Sequence, residues 1–183
     1  TLDRSSAASD VYKRQVTKSL AMRKILIFGN SGSGKSTLAK KLCAAEKLAH
    51  LDLDTLAWQP TNPPIRNPLT ESEKNITEFI KLHCGWVIEG CYTELLDMAA
   101  PQSNEIVFMN LPIEICIANA KSRPWEPHKY ESMEAQNKNL EMLIGWVSQY
   151  SERSDSFSAA AHQGLYENYT GKKTMVTSND VNT

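Results

Sequence analysis

The chain has 183 residues, with 20 Lys and Arg against 21 Asp and Glu, a formal charge of −1, four cysteines and four histidines. That length suits one domain able to bury a sheet with helices on both faces, and the near balance of charge excludes a whole-chain electrostatic footprint for nucleic acid or an anionic membrane. Cys43, Cys84, Cys91 and Cys116 form no C-x-x-C pair and no metal spacing with the histidines, so they read as buried apolar thiols in a reducing cytosol.

In chain order, residues 1–21 have no apolar periodicity and lack the apolar core of a secretory signal. Asp10 to Gln15 resembles an in-frame translation of a transposon end used in sequencing libraries. Residues 1–21 are therefore expected to be a non-native or disordered leader before a domain over 22–183. Leaving out that segment, which holds four basic and two acidic residues, gives the domain a charge of −3. No run reaches the roughly 18 to 20 apolar residues that a membrane helix needs, so a soluble, cytoplasmic protein is expected.

Lys24 to Gly29 is a continuous apolar run, the pattern of a strand buried on both faces of a parallel sheet. Lys35 to Lys47 has helical spacing, and Leu48 to Leu53 reads as a second strand whose end carries Asp52 and Asp54. Prolines make a loop of residues 60–68, after which Thr70 to Glu73 fits a capping box and a helix runs to about His83, burying Ile76, Phe79 and Ile80. Gly85 to Gly90 and Glu105 to Leu111 read as the third and fourth strands, with a short helix over Glu94 to Ala100 between them and Pro112 opening another. Residues 113–173 read as a helical lid insertion with Leu140, Leu143, Ile144 and Val147 on one face, and Lys173 to Thr177 as a last strand. Strands alternating with helices predict an α/β, three-layer domain with a parallel sheet of about five strands.

Gly29-Asn30-Ser31-Gly32-Ser33-Gly34-Lys35-Ser36-Thr37 satisfies G-x-x-x-x-G-K-[ST], after a buried strand and before an amphipathic helix. The glycines let backbone N–H groups turn inward, and the helix adds its positive end, so the loop is an anion cradle for the β-phosphate of a nucleoside triphosphate. Lys35 is then placed for the β and γ oxygens, Ser36 for Mg²⁺ and Thr37 for the α-phosphate. On a parallel α/β sheet this loop makes a three-layer P-loop NTPase fold the expectation, with ATP and Mg²⁺ as the expected cofactor pair.

Asp52 and Asp54 alternate with leucines and are expected to point to one side of the sheet edge that faces the ligand crevice. Asp54 is alternatively a helix N-cap and Asp52 a surface ion pair. Glu89 places another carboxylate at the crevice, for water on Mg²⁺, for substrate, or as a cap of the next helix. Where many P-loop proteins carry a metal-binding Asp on the fourth strand, this chain has Asn110.

After Met22 the only arginines are Arg23, Arg66, Arg123 and Arg153. Arg123 is a candidate lid cation on ATP or a helix C-terminal cation, Arg66 a candidate acceptor contact or a solvated loop residue, and Arg153 a second lid cation or a surface residue. The four tryptophans read as packing residues, Trp58 alone being placed to wall an acceptor pocket. His128 and His162 read as structural or solvated.

The Asp-Leu-Asp segment 52–54 resembles the D-x-D signature of shikimate and gluconate kinase-like enzymes, which implies that Asp52 serves the metal and Asp54 meets the acceptor hydroxyl. Over residues 22–179 the chain resembles the DNA topology modulation, or flagellar-regulator-like, group of bacterial adenylate kinase-related P-loop proteins. The likeness is carried by Gly29 to Thr37, Leu51 to Trp58, Trp86 to Gly90 and Arg123 to Tyr130. That group often has Asp-Gly in place of Glu89-Gly90 and Asp in place of Asn110.

The resulting expectation is an ATP-dependent small-molecule kinase, with Lys35, Asp54 and Arg123 catalytic and Asp54, Trp58, Arg66 and Glu89 holding an unidentified hydroxyl or phosphate acceptor. The alternative is a nucleotide-binding regulator or slow ATPase linked to DNA topology or gene regulation. Direct nucleic-acid binding is not expected, because no helix carries a basic stripe with interleaved aromatics.

Overall fold

The computed structural model describes residues 22–59, 61, 65–127 and 131–179. The leader 1–21, part of the proline loop and the end of the Arg123 to Tyr130 motif lie outside the described residues. Strands β1 (Lys24–Gly29), β2 (Ala49–Asp52), β3 (Trp86–Gly90), β4 (Glu105–Met109) and β5 (Lys172–Val176) form one parallel sheet in the order β2-β3-β1-β4-β5. Its central strand is the one that delivers the Gly-rich loop. The α/β, parallel, five-stranded expectation is met.

The three central strands β3, β1 and β4 are buried on both sides because helices cover both. Ile25 and Ile27 face one layer with Val87, Val107 and Met109, against α1 (Lys35–Glu46), α5 (Ile113–Ser122) and α7 (Leu140–Ser148). Leu26 and Phe28 face the other with Trp86, Ile88, Ile106 and Phe108, against α2 (Asp54–Ala57), α3 (Leu69–Leu82), α4 (Thr93–Ala99) and α8 (Ala159–Asn168). Phe28 and Phe108 stack at 5.2 Å between ring centres. A short helix, α6 (Met133–Lys138), precedes α7. Cys91 and Cys116 are buried as expected, but Cys43 is half-buried and Cys84 is exposed, because it lies in the turn between α3 and β3.

Four local expectations are revised. The second strand stops at Asp52, not Leu53, and Asp54 opens α2. The Thr70 capping box is not used: α3 begins at Leu69 behind Pro68, and no side chain caps it. Proline's fixed φ starts that helix one residue before Thr70 can act as its cap. The stretch 113–173 is not one lid, since α7 packs on α5 while α8 packs on β1, β4 and α4 as a core crossover helix. The fourth strand ends at Met109, and Pro112 is the N-cap of α5.

At the sheet edge opposite the loop, the buried carboxylate of Glu105 receives Arg23 Nε at 3.0 Å and Arg23 Nη2 at 2.9 Å, with Lys172 at 3.1 Å. Among the described residues, no helix is long and apolar enough to cross a membrane.

Candidate active site at the carboxyl edge of the sheet

The loop between β1 and α1 is shaped by its glycines. Gly29 has φ 144° and Gly32 has φ 77°. A Cβ on Gly29 would lie 2.3 Å from the Met109 carbonyl oxygen, and one on Gly32 would lie 2.2 Å from the Cys116 carbonyl oxygen. Only hydrogen in place of a side chain lets the loop lie against β4 and α5. Side chains lock it from outside. Asn30 Nδ2 donates to the Val147 carbonyl at 3.1 Å, and Asn119 Nδ2 donates to the Gly32 carbonyl at 2.9 Å. Asn119 also pairs with Asn179, tying the segment after β5 to the loop.

Lys35 is buried, not exposed at a loop tip, because it is the first residue of α1; its Nζ donates to the Asn30 carbonyl at 2.8 Å. The Ser33 hydroxyl is buried with no hydrogen-bond partner among the described residues. A glycine-shaped cradle with an orphaned hydroxyl, a lysine resting on a weak acceptor and a helix amino end fits a phosphate group.

Beside the loop, a cleft of about 310 Å³ is lined by Ser36, Lys40, His50, Leu51, Asp52 and Thr55. Asp52 lies across from Glu89 in the β2–β3 register, and His50 Nε2 approaches the buried Glu89 carboxylate at 3.6 Å. Among the described residues no group of three or more His, Cys, Asp or Glu side chains could hold a metal ion unaided. Ser36 and Asp52 sharing one cleft nevertheless suits Mg²⁺ arriving with a triphosphate, since that ion keeps several waters and takes one or two protein oxygens.

The two aspartates do not share a strand edge. Leu53 N–H makes the last rung, to Glu89 at 2.9 Å, and the chain then turns with the Asp54 N–H donating to Asp52 Oδ1, also at 2.9 Å. Asp52 therefore makes the backbone capping contact that the sequence alternatively ascribed to Asp54. The Asp54 carboxylate instead accepts the Tyr92 hydroxyl at 2.6 Å, and Tyr92 accepts the Trp58 indole N–H at 2.7 Å. Burial, then Cys91 and Asp54, push the Tyr92 pKa far up, so the phenol stays a neutral donor.

Arg66 is fixed by an isolated antiparallel bridge to Trp58 that closes the proline loop. Its guanidinium lies 5.1 Å from the Trp58 ring centre and 4.7 Å from that of Tyr92, and pairs with Glu94 at 2.5 Å. Arg153 stacks 3.6 Å from the Trp146 ring centre and pairs with Asp155. Arg123 stands at the C-cap of α5, with Nη1 3.3 Å from a Glu126 oxygen. Asn110 donates to the Met175 sulfur at 3.7 Å.

The buried Cys91 thiol follows Gly90 at the end of β3. Burial pushes it up to about 12, Lys35 opposes the rise, and the carboxylates of Asp54, Glu89 and Glu94 add to it. The phosphate loop and the segment from Glu89 to Glu94 leave adjacent strands, β1 and β3, at the same edge of the sheet. Tyr92, Glu94, Phe157 and His50 are members that the motif reading did not name. Tyr92 and Glu94 directly follow the third strand's Gly90, and that position at a strand's carboxyl end was the available signal.

Sheet and loop together define a P-loop protein of the α/β class. No protein-family model matches the chain, and no curated protein matches it. Among solved structures it is similar to a sugar kinase from Janibacter sp., with TM-score 0.48 and 13% identity over 85% of each chain. It is also similar to a shikimate kinase from Bacteroides thetaiotaomicron, with TM-score 0.44 and 15% identity over 80% of this chain and 98% of that one. A gluconokinase from Sinorhizobium meliloti gives TM-score 0.40 and 16% identity over 81% of this chain and 95% of that one. At such identities no residue's role passes from them to this chain.

Proposed function

We propose that this protein is an ATP-dependent phosphotransferase that moves the γ-phosphoryl group to a hydroxyl or phosphate oxygen of a small cytoplasmic acceptor. The observation that carries this reading is the carboxylate of Asp54, aimed by the Tyr92 hydroxyl two residues after Asp52, which shares a cleft with Ser36 of the phosphate loop. A nucleotide switch needs the loop but has no use for an oriented base.

The amides of residues 29–37 and the amino end of α1 hold the β-phosphate, and Lys35 leaves the Asn30 carbonyl for the β and γ oxygens. Ser36 and Asp52 would hold Mg²⁺, which neutralises phosphate charge when bound. Asn119 and Asn179 shape the side where the base lies, and Arg123 covers the phosphates from the end of α5. Trp58, Arg66 and Glu89 bound the acceptor. With a hydroxyl acceptor, Asp54 takes the proton as the acceptor oxygen bonds to phosphorus and the bond to the ADP oxygen breaks. Catalysis is positioning and charge stabilisation.

The test is an ADP-release assay over nucleosides, nucleotides, sugars and hydroxy acids. Acceptor-dependent turnover supports the reading. An acceptor-independent trickle across the panel would replace it with a slow ATPase or nucleotide-dependent regulator.

A further inference from the structure

Three rings and two arginines meet around Phe157. Its ring stands edge-on to Tyr92 at 5.1 Å and to Trp146 at 5.2 Å between centres. The Arg66 guanidinium carbon lies 5.6 Å from the Phe157 centre and that of Arg153 5.2 Å. The two cations come from distant parts of the chain, one from the proline loop before α3 and one from the turn after α7. Each is already held on one side by a carboxylate: Arg66 Nη2 by Glu94 and Arg153 Nε and Nη2 by Asp155. Each also has its Nη1 buried with no hydrogen-bond partner among the described residues, and so does Glu94 Oε2.

A buried guanidinium nitrogen without an acceptor is costly, and two around one ring is a pattern that folding alone does not reward. The cost is removed if a ligand supplies the oxygens. Two guanidinium forks oriented by stacking and by ion pairs suit a planar or tetrahedral oxyanion, because the donors are fixed before the ligand arrives. The orphaned Glu94 oxygen next to Arg66 asks for the opposite partner, a donor, and a ligand hydroxyl is one.

From this we infer that the acceptor carries an oxyanion, a phosphate monoester or a carboxylate, held by Arg66 and Arg153 around Phe157, with one of its hydroxyls donated to Glu94. The inference rests on the phosphotransferase reading for the word acceptor. The anion site itself does not.

Binding is therefore measured apart from turnover. The full chain, with the phosphate loop saturated by ADP and Mg²⁺, is titrated with inorganic phosphate, glycolate and glycerol while its melting temperature is followed, sodium chloride serving as the ionic-strength control. Phosphate, glycolate or both should raise the melting temperature beyond the chloride effect, and glycerol at equal concentration should not. The stronger of the two identifies the head group. Arg66→Lys and Arg153→Lys, which keep charge and alkyl stem but lose the fork, should each weaken the effective anion by about tenfold or more. Arg153→Met serves as the second variant at that position, with circular dichroism confirming that it is folded.

Anion stabilisation that is equal in wild type and folded variants, or no stabilisation beyond chloride, overturns the inference. Neutral acceptors turned over as fast by Arg153→Lys as by wild type also overturn it while leaving the phosphotransferase standing. An Arg66- and Arg153-dependent anion site in a protein that never releases ADP in an acceptor-dependent way sustains the site and removes the phosphotransferase.

Discussion

The Tyr92 hydroxyl donates to the Asp54 carboxylate at 2.6 Å. Its lone pair meanwhile accepts the Trp58 indole N–H at 2.7 Å. An indole can only donate and a carboxylate only accepts, so the chain runs one way and ends on Asp54. The carboxylate is aimed by aromatic side chains that belong to the packed layer of the sheet.

Tyr92→Phe should accordingly weaken both catalysis and folding. The Trp58 N–H loses its acceptor, which costs about 1 to 3 kcal/mol of stability in a urea titration. Turnover should fall because Asp54 loses its orientation. Asp54→Asn should lower kcat roughly a hundred- to ten-thousandfold with little change in nucleotide affinity. A variant that turns over normally and only melts earlier would make Asp54 a structural residue.

Asp52 joins two tasks that substitution can separate. Asn at position 52 keeps an oxygen for the Asp54 N–H but loses the charge, so Asp52→Asn should raise the Mg²⁺ concentration needed for activity at unchanged melting temperature. Asp52→Ala loses the cap too and should cost about 1 kcal/mol besides. Equal Mg²⁺ dependence in all three proteins would leave Asp52 as a cap alone.

Gly32→Ala forces a Cβ into the Cys116 carbonyl at a φ of 77°. The loop has to shift, since the obstacle is backbone. A loss of about 1 to 3 kcal/mol in stability is expected, with ADP binding weakened more than tenfold by calorimetry.

Lys35→Ala should reduce phosphoryl transfer by about a hundredfold or more, because a preorganised charge against the triphosphate is lost. Loss of its hydrogen bond to the Asn30 carbonyl should cost about 1 kcal/mol of stability. Single-turnover kinetics and a thermal melt on the same preparation distinguish the two.

His162 predicts a pH dependence. It is fully buried against Phe28 and Phe108, its Nε2–H donating to the Cys91 carbonyl at 2.9 Å and its Nδ1 accepting the Tyr150 hydroxyl at 2.7 Å in the neutral ring. Burial lowers its pKa from 6.5 to about 4, the Cys91 contact opposing and Lys35 assisting. The unfolded chain binds a proton here first, so the stability contributed is whole above pH 6.5 and is lost as pH falls through 4. By then the loss reaches about 3 kcal/mol. Denaturation of His162→Gln should show a flatter profile over that window, and parallel profiles would count against it.

The α/β class, all five strands and the phosphate loop were legible because they are local. A both-sides-buried strand is a run of apolar residues, and the loop needs glycines at fixed offsets from Lys35, so neighbours in sequence carry the whole signal. The acceptor side was half legible. Asp54, Trp58 and Arg66 were marked by their place near strand ends, but periodicity placed Asp54 on the strand and left Asp52 without its cap. Where β2 stops depends on the Leu53 to Glu89 rung, a bond between residues 36 apart in sequence. The crossover role of α8 and the meeting of Arg66 with Arg153 at Phe157 depend on the same kind of distance. Residues brought together only when the sheet closes leave no period in the chain, and their charges acquire partners, or go without, only once water is excluded around them.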